Sequence, residues 1–291
     1  MRKLHITDTS KFISEYRKRI LEKIPSDLLQ AEHTDTHHFY RYKPTDELMI
    51  SCTAPLNIIS NDHLKSWAAK ITAEFLVKNW EHFDDKKELI KMATKEHYRI
   101  FKDAGDVGTK IHDVVEKYCK EWIKTGNKPV DIKTFILGEE SDGRVFAGAR
   151  SFEYYMDETG AIPVFAELIV ANPKIGVAGQ LDLILLVPSK GKDMWELILT
   201  DVKTSNHMDH DTYALQTANY YDSFVYLTGE KLHRVNILLL DKDKMKYTIG
   251  VVPHIKSSVA IYKHALAIYR WKLDNDRKKV VKKKNRIKIE I

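Results

Sequence analysis

Apolar residues recur at helical spacing early in the chain, where Phe12, Ile13, Tyr16, Ile20, Ile24 and Leu28 form one stripe and Leu64, Trp67, Ala68, Ile71 and Phe75 another. Gln30 to Glu47, between them, is polar and rich in histidine and reads as a solvated loop; no Cys or carboxylate follows His33, His37 and His38 at a metal-site spacing. From Lys110 to Lys124, the positions of Ile111, Val114, Val115, Tyr118, Cys119 and Trp122 predict a helix with a broad apolar face. The period changes after Pro163. Val164 to Val170 reads as a strand, Asn172-Pro173 as a turn, and Val177 to Val187 as a second strand closed by Pro188. Trp195 to Thr204 follows a polar Gly-containing loop as a third strand, which makes the last two an antiparallel hairpin. A helix from Asp211 to Leu227 precedes Gly229, then come strands at Val235 to Leu240 and Tyr247 to Val252 and a helix from Ser257 to Leu273. Strands and helices in this mixed order predict an α/β core around a central sheet.

At 291 residues with 43% hydrophobic and 30% charged positions, the chain is long enough for a sizeable core and too polar throughout for a membrane protein. Neither a Pro/Gly-rich linker nor a repeat period divides it. The longest apolar run is Leu183 to Val187, and charge in Met1 to Ser10 stands where a signal peptide needs apolar residues, so the expected location is the cytoplasm. Cys52 and Cys119 are the only cysteines, which excludes a four-thiolate iron-sulfur cluster within one chain and argues against a zinc module or a disulfide framework. The formal charge is +6, and Arg270 to Ile291, with ten basic against three acidic residues, carries all of it. A basic tail on a near-neutral body suits a polyanionic partner, and equally a solubility tag.

The third strand ends in charge. Asp201 and Lys203 are two residues apart and so share a face, roughly 6.5 to 7 Å apart along the strand. Alone, the pair fits an exposed ion pair at a strand end. Asp182 lies 19 positions earlier on the partner strand, where pairing across the hairpin brings it beside Asp201. Converging carboxylates repel unless a cation lies between them. Mg²⁺, with its preference for a few hard oxygen ligands plus substrate phosphate, suits such a place; the carbonyl of Val202 is a further candidate ligand. Lys203 would then orient a water or stabilise developing charge at a phosphodiester.

Val177-Ala-Gly-Gln-Leu-Asp182, Leu199-Thr-Asp201-Val-Lys203-Thr-Ser205 and Gln216-Thr-Ala-Asn-Tyr220 together resemble the PD-(D/E)xK nuclease superfamily in its RecB-like exonuclease branch, which includes phage exonucleases and the mitochondrial genome maintenance exonuclease. Gly108-Thr-Lys-Ile-His112 is similar to the branch's GxxxH segment. The resemblance covers about Gly108 to Pro253, and Leu181 stands where the classical motif has Pro. It implies a restriction-endonuclease-like α/β core at 108–255, with a central mixed β-sheet flanked by helices, an N-terminal helical region at 1–107 packed on it, and a C-terminal helix and basic tail at 256–291.

The same resemblance implies catalytic roles for Asp182, Asp201, Lys203, Gln216 and Tyr220. It implies a Mg²⁺ or Mn²⁺ site made from His112, Glu167, Asp182, Asp201 and Val202. Nucleic-acid contacts would come from Gly108, Thr109, His112, Thr204, Ser205 and Gln216. For Glu167 an ordinary surface position is the competing reading. For Gln216 and Tyr220, one turn apart with Tyr213 and Phe224 in the same stripe, it is core packing. The implied activity is metal-dependent removal of nucleotides from DNA ends or single-stranded segments during phage-type recombination, repair or replication, with a partner protein from that machinery. An endonuclease with the same site and a non-cutting DNA-binding module are the alternatives. Trp67, Lys70, Trp80, Lys95 and Arg99 could line a channel for a single strand, by stacking and charge.

Overall fold

The computed structural model describes residues 3–25, 27–33, 38–59, 62–136, 142–205 and 208–287. Its strands are β1 (Leu4–His5), β2 (Leu29–His33), β3 (His38–Tyr42), β4 (Glu47–Ser51), β5 (Ile162–Asn172), β6 (Val177–Pro188), β7 (Met194–Lys203), β8 (Arg234–Asp241) and β9 (Lys246–Val251). The helices are α1 (Thr9–Leu21), α2 (Asp62–Asn79), α3 (Lys86–Thr125), α4 (Gly143–Thr159), α5 (His210–Thr228) and α6 (Ile255–Ile287). All nine strands join one mixed sheet flanked by helices, the α/β class expected.

β6 is the axis of the sheet. Along one side it takes β5, antiparallel from Ile162 opposite Leu186 to Asn172 opposite Val177. Its other side is shared: β4 pairs parallel at Val177 and Ala178, and β7 pairs antiparallel from Leu183–Thr200 to Pro188–Trp195. Gly179 to Asp182 lie between these two partners, so the sheet forks there. β7 continues past the fork, paired parallel with β8 through Lys203–Leu239.

Helices cover both faces because the central strands are apolar on both sides. On one face Leu183, Leu185, Ile198 and Val202 pack with Ile111, Val115 and Tyr118 of α3 and Phe152 and Met156 of α4. On the other, Ile184, Leu186, Leu199 and Ile237 pack with Tyr16 and Ile20 of α1, Phe224 of α5, and Tyr262 and Leu266 of α6.

Three sequence expectations change. Gln30 to Glu47 is not a loop: β2 and β3 are strands, held by pairing with β4 that sets Phe39 opposite Ile50 and Tyr40 opposite Met49. The side chains of His33, His37 and His38 lie outside the described residues. The first apolar stripe stops being helical at Leu21, because Pro25 disfavours helical backbone before it; Ile24 and Leu28 are buried from the turn that follows. The helix expected from Lys110 begins much earlier, at Lys86, where the Asp85 side chain accepts the N–H groups of Lys87 and Glu88, and it ends at Gly126 with φ 72°. At 40 residues it is about 60 Å long and runs through 107 and 108 without a break, its first half packed against α2. α6 carries the start of the basic tail; the side chains from Asp276 onward lie outside the described residues. No helix among the described residues is long and apolar enough to cross a membrane.

Candidate active site

The fork in the sheet brings three carboxylates level. Leu183 is opposite Thr200, which puts Asp182 level with Asp201; Ala166 opposite Leu183 and Leu168 opposite Leu181 put Glu167 level with Asp182. Beyond the last β6–β7 pair the backbone of β7 needs another partner, and Asp182 Oδ2 accepts the N–H of Val202 at 2.6 Å. That bond fixes one oxygen of Asp182. The other lies 3.9 Å from Nδ1 of His112, which α3 brings over the sheet.

Gly108 explains how α3 comes so close. A Cβ at this position would stand 2.7 Å from Oγ1 of Thr204, so only glycine lets the helix lie against the end of β7. His112 is one turn further along. His112, Glu167 and Asp182 each offer a ligand atom, and these atoms lie within 4.8 Å of one another.

Glu167 is held in a backbone conformation, φ 53°, that a residue with a side chain rarely adopts. Burial, followed by the charges of Asp182 and Glu116, pushes its carboxyl from the usual 4.5 up to about 8. An ordinary surface glutamate would show neither feature.

Asp201 is 1% exposed, and its oxygens receive no hydrogen bond from a described residue besides the ammonium of Lys203, 2.6 Å from Oδ2. Burial raises its carboxyl to about 6, Lys203 opposing and Asp182 reinforcing the shift. Burial works against the charge of Lys203, but Asp201 and Asp182 outweigh it and leave the ammonium above its ordinary value. The Lys203 Nζ also sits 5.1 Å from the centre of the Tyr213 ring, whose hydroxyl donates to Oγ of Ser205 at 2.9 Å.

These groups surround an open cleft of about 610 Å³ lined by Gly108, Thr109 and His112 of α3, Glu167, Asp182, Lys203, and Thr204 and Ser205 after β7. Phe101, 63% exposed, stands at its edge. Asp201 and Val202 lie behind the cleft, the Val202 side chain fully buried toward α3. Gln216 and Tyr220 do not line the cleft. Gln216 Nε2 donates to Tyr220 Oη at 3.1 Å, and the buried Tyr220 hydroxyl is pushed well above its usual range, first by burial and also by Cys52, Asp201 and Asp182. The Tyr220 ring lies against Gly179 of β6, where an added Cβ would stand 3.0 Å from Cε1. Tyr213, read from the sequence as part of a packing stripe, proves to hold Lys203. Lys242 also lines the cleft and was missed. Its Asp-Lys-Asp-Lys context gives no signal beyond that of an ordinary polar hairpin turn.

An oxygen-rich set with one imidazole, backed by a buried carboxylate lacking neutral donors, fits a hard divalent cation such as Mg²⁺ or Mn²⁺.

No protein-family model matches the chain, and no curated protein matches it. Among solved structures, an alkaline exonuclease, LHK-Exo from Laribacter hongkongensis, is similar over 60% of this chain and 84% of its own at 16% identity and a TM-score of 0.34. LHK-Exo in complex with dAMP is similar over 61% and 92% at 18% identity and 0.33. SSO0001 is similar over 54% and 74% at 12% identity and 0.26.

Proposed function

We infer that this chain is a Mg²⁺- or Mn²⁺-dependent nuclease of the PD-(D/E)xK superfamily, in its RecB-like branch, which hydrolyses phosphodiester bonds from DNA ends. The observation that carries this reading is the level row of Glu167, Asp182 and Asp201 across three strands, with Lys203 at its end and His112 above it.

His112, Glu167 and Asp182, with Asp201 and the Val202 carbonyl behind them, would hold a divalent cation, which when bound would supply Lewis acidity toward the phosphodiester and a more acidic water. The chain's own groups supply the rest. Lys203, whose ammonium Asp201 and Asp182 hold above its ordinary value, is the cation placed for the charge that develops on the phosphate. Asp201 and the Tyr213 ring hold its ammonium in place. Glu167, whose carboxyl stands at about 8 without the cation, would give up its proton when it takes the ligand role. Thr109, Thr204 and Ser205 offer hydroxyls to the strand, and the exposed ring of Phe101 offers a stacking face to an unpaired base, which favours single-stranded ends. Gln216 and Tyr220 support the wall of the site from behind, the Tyr220 ring lying against Gly179 of β6. The implied setting is recombination, repair or replication of a phage-type genome in the cytoplasm, alongside proteins of that machinery.

Purified protein with Mg²⁺ or Mn²⁺ degrades end-labelled linear DNA, and EDTA or Lys203→Ala abolishes the activity. A Lys203→Ala protein that cuts as fast as wild type overturns the assignment. A covalently closed single-stranded circle survives an exonuclease and is cut by an endonuclease.

A further inference from the structure

Lys242 follows β8 on the turn into β9. It lines the cleft together with Glu167, Asp182 and Lys203, yet is only 8% exposed. No described residue makes an ion pair or hydrogen bond with its ammonium. The backbone on either side of it is held: Asp241 Oδ1 accepts the N–H groups of Asp243 and Lys244, each at 2.9 Å, and Ser151 of α4 donates to the Asp241 carbonyl at 3.1 Å. Its stem is covered and its charge opens onto the cleft.

The cleft is otherwise acidic, through Asp113, Glu116, Glu167 and Asp182, and its other lysine, Lys203, is committed to Asp201. A polyanion entering it meets repulsion that an uncommitted cation must offset. An ammonium on a covered stem, open to the cleft and without a counter-ion among the described residues, is placed to take an incoming anion with several acceptor oxygens. We propose that Lys242 binds a phosphate of the nucleic-acid strand, next to the one that is cleaved. The proposal rests on the nuclease reading and adds a recognition residue to it. The anchored phosphate belongs either to the interior of the strand or to its terminus.

The test is binding of fluorescent single-stranded oligonucleotides, with and without a terminal phosphate, in EDTA over a range of salt. Lys242→Met keeps the packing of the stem and removes the charge; Lys242→Arg keeps the charge. Lys242→Met is expected to bind about tenfold more weakly, with a log–log salt slope shallower by about 0.7, and Lys242→Arg to stay near wild type. Loss with both oligonucleotides identifies an internal phosphate, and loss with only the phosphorylated one a terminal phosphate. A Mn²⁺-induced rise in Tm retained by Lys242→Met shows an intact fold and carboxylate site. Wild-type affinity and slope in a folded Lys242→Met protein overturn the proposal. Wild-type protein that binds but never cuts with Mg²⁺ or Mn²⁺ sinks the nuclease reading and leaves Lys242 to be judged by the binding data. Failure of wild type to bind at all sinks both.

Discussion

Glu167→Gln separates what this cleft carboxyl costs from what it does. Its pKa of about 8, against the usual 4.5, means that the folded chain keeps a proton there which the unfolded chain has released. Between pH 4.5 and 8 the native state therefore binds more protons than the unfolded state, and stability falls as pH rises through that window. The full shift corresponds to roughly 5 kcal/mol, which partial solvent access reduces to roughly 2–4 kcal/mol. Glutamine has nearly the same shape and no charge, and Gln180 Nε2 bonds to the backbone carbonyl at 167, which the substitution leaves in place. In EDTA, wild type should lose about 5–10 °C more in Tm between pH 5 and pH 8.5 than Glu167→Gln does, at about 2–3 °C per kcal/mol. Because the other titrating groups are common to both proteins, the difference isolates this carboxyl. At pH 8.5, Mn²⁺ should raise the Tm of wild type and have little effect on Glu167→Gln, whose cleavage is lost. Scanning calorimetry gives all six Tm values. Equal pH dependence in the two proteins would refute the argument that this carboxyl is strained.

Lys203→Met leaves Asp201 buried without its cation and should cost about 3–5 kcal/mol at pH 8. The penalty shrinks as pH falls, because the carboxyl, already at about 6 beside Lys203, takes up a proton more readily without it, as urea unfolding at pH 5 and pH 8 would show. Gly108→Ala gains about 1 kcal/mol of helix propensity but drives a methyl into Thr204, and overpacking at about 1–3 kcal/mol outweighs the gain. Gly108→Ala with Thr204→Ala should reverse the sign, and a double-mutant cycle by thermal denaturation measures it. Tyr220→Phe removes the acceptor for the Gln216 amide at a cost of about 1 kcal/mol, and folded protein should retain its Mn²⁺-induced Tm shift because neither residue lines the cleft.

The β6–β7 hairpin and the placing of its charged end were legible because a strand buried on both faces reads as a long branched apolar run, and charge at its terminus is conspicuous. Asp182 and Asp201 come level as the hairpin register requires. The β2–β3 pair was not legible, since it becomes strand only through pairing with β4. The outer half of α3 was hidden for a related reason: little beyond Leu89 and Ala93 is buried before Val107, so no wide apolar stripe announces it. α4, with Phe152, Tyr155 and Met156 against the sheet, went unread between the longer patterns on either side. Glu167 showed its acidity but not its left-handed backbone, and Lys242 depends wholly on where a turn lands in three dimensions.

The bond from the Val202 N–H to Asp182 has a practical corollary. An asparagine at 182 must answer that donor with its amide oxygen, which turns the amide nitrogen, now a donor, toward His112. Exchanging one atom would thus silence the centre while the scaffold stays intact, giving a decoy that holds its target uncut for crystallography.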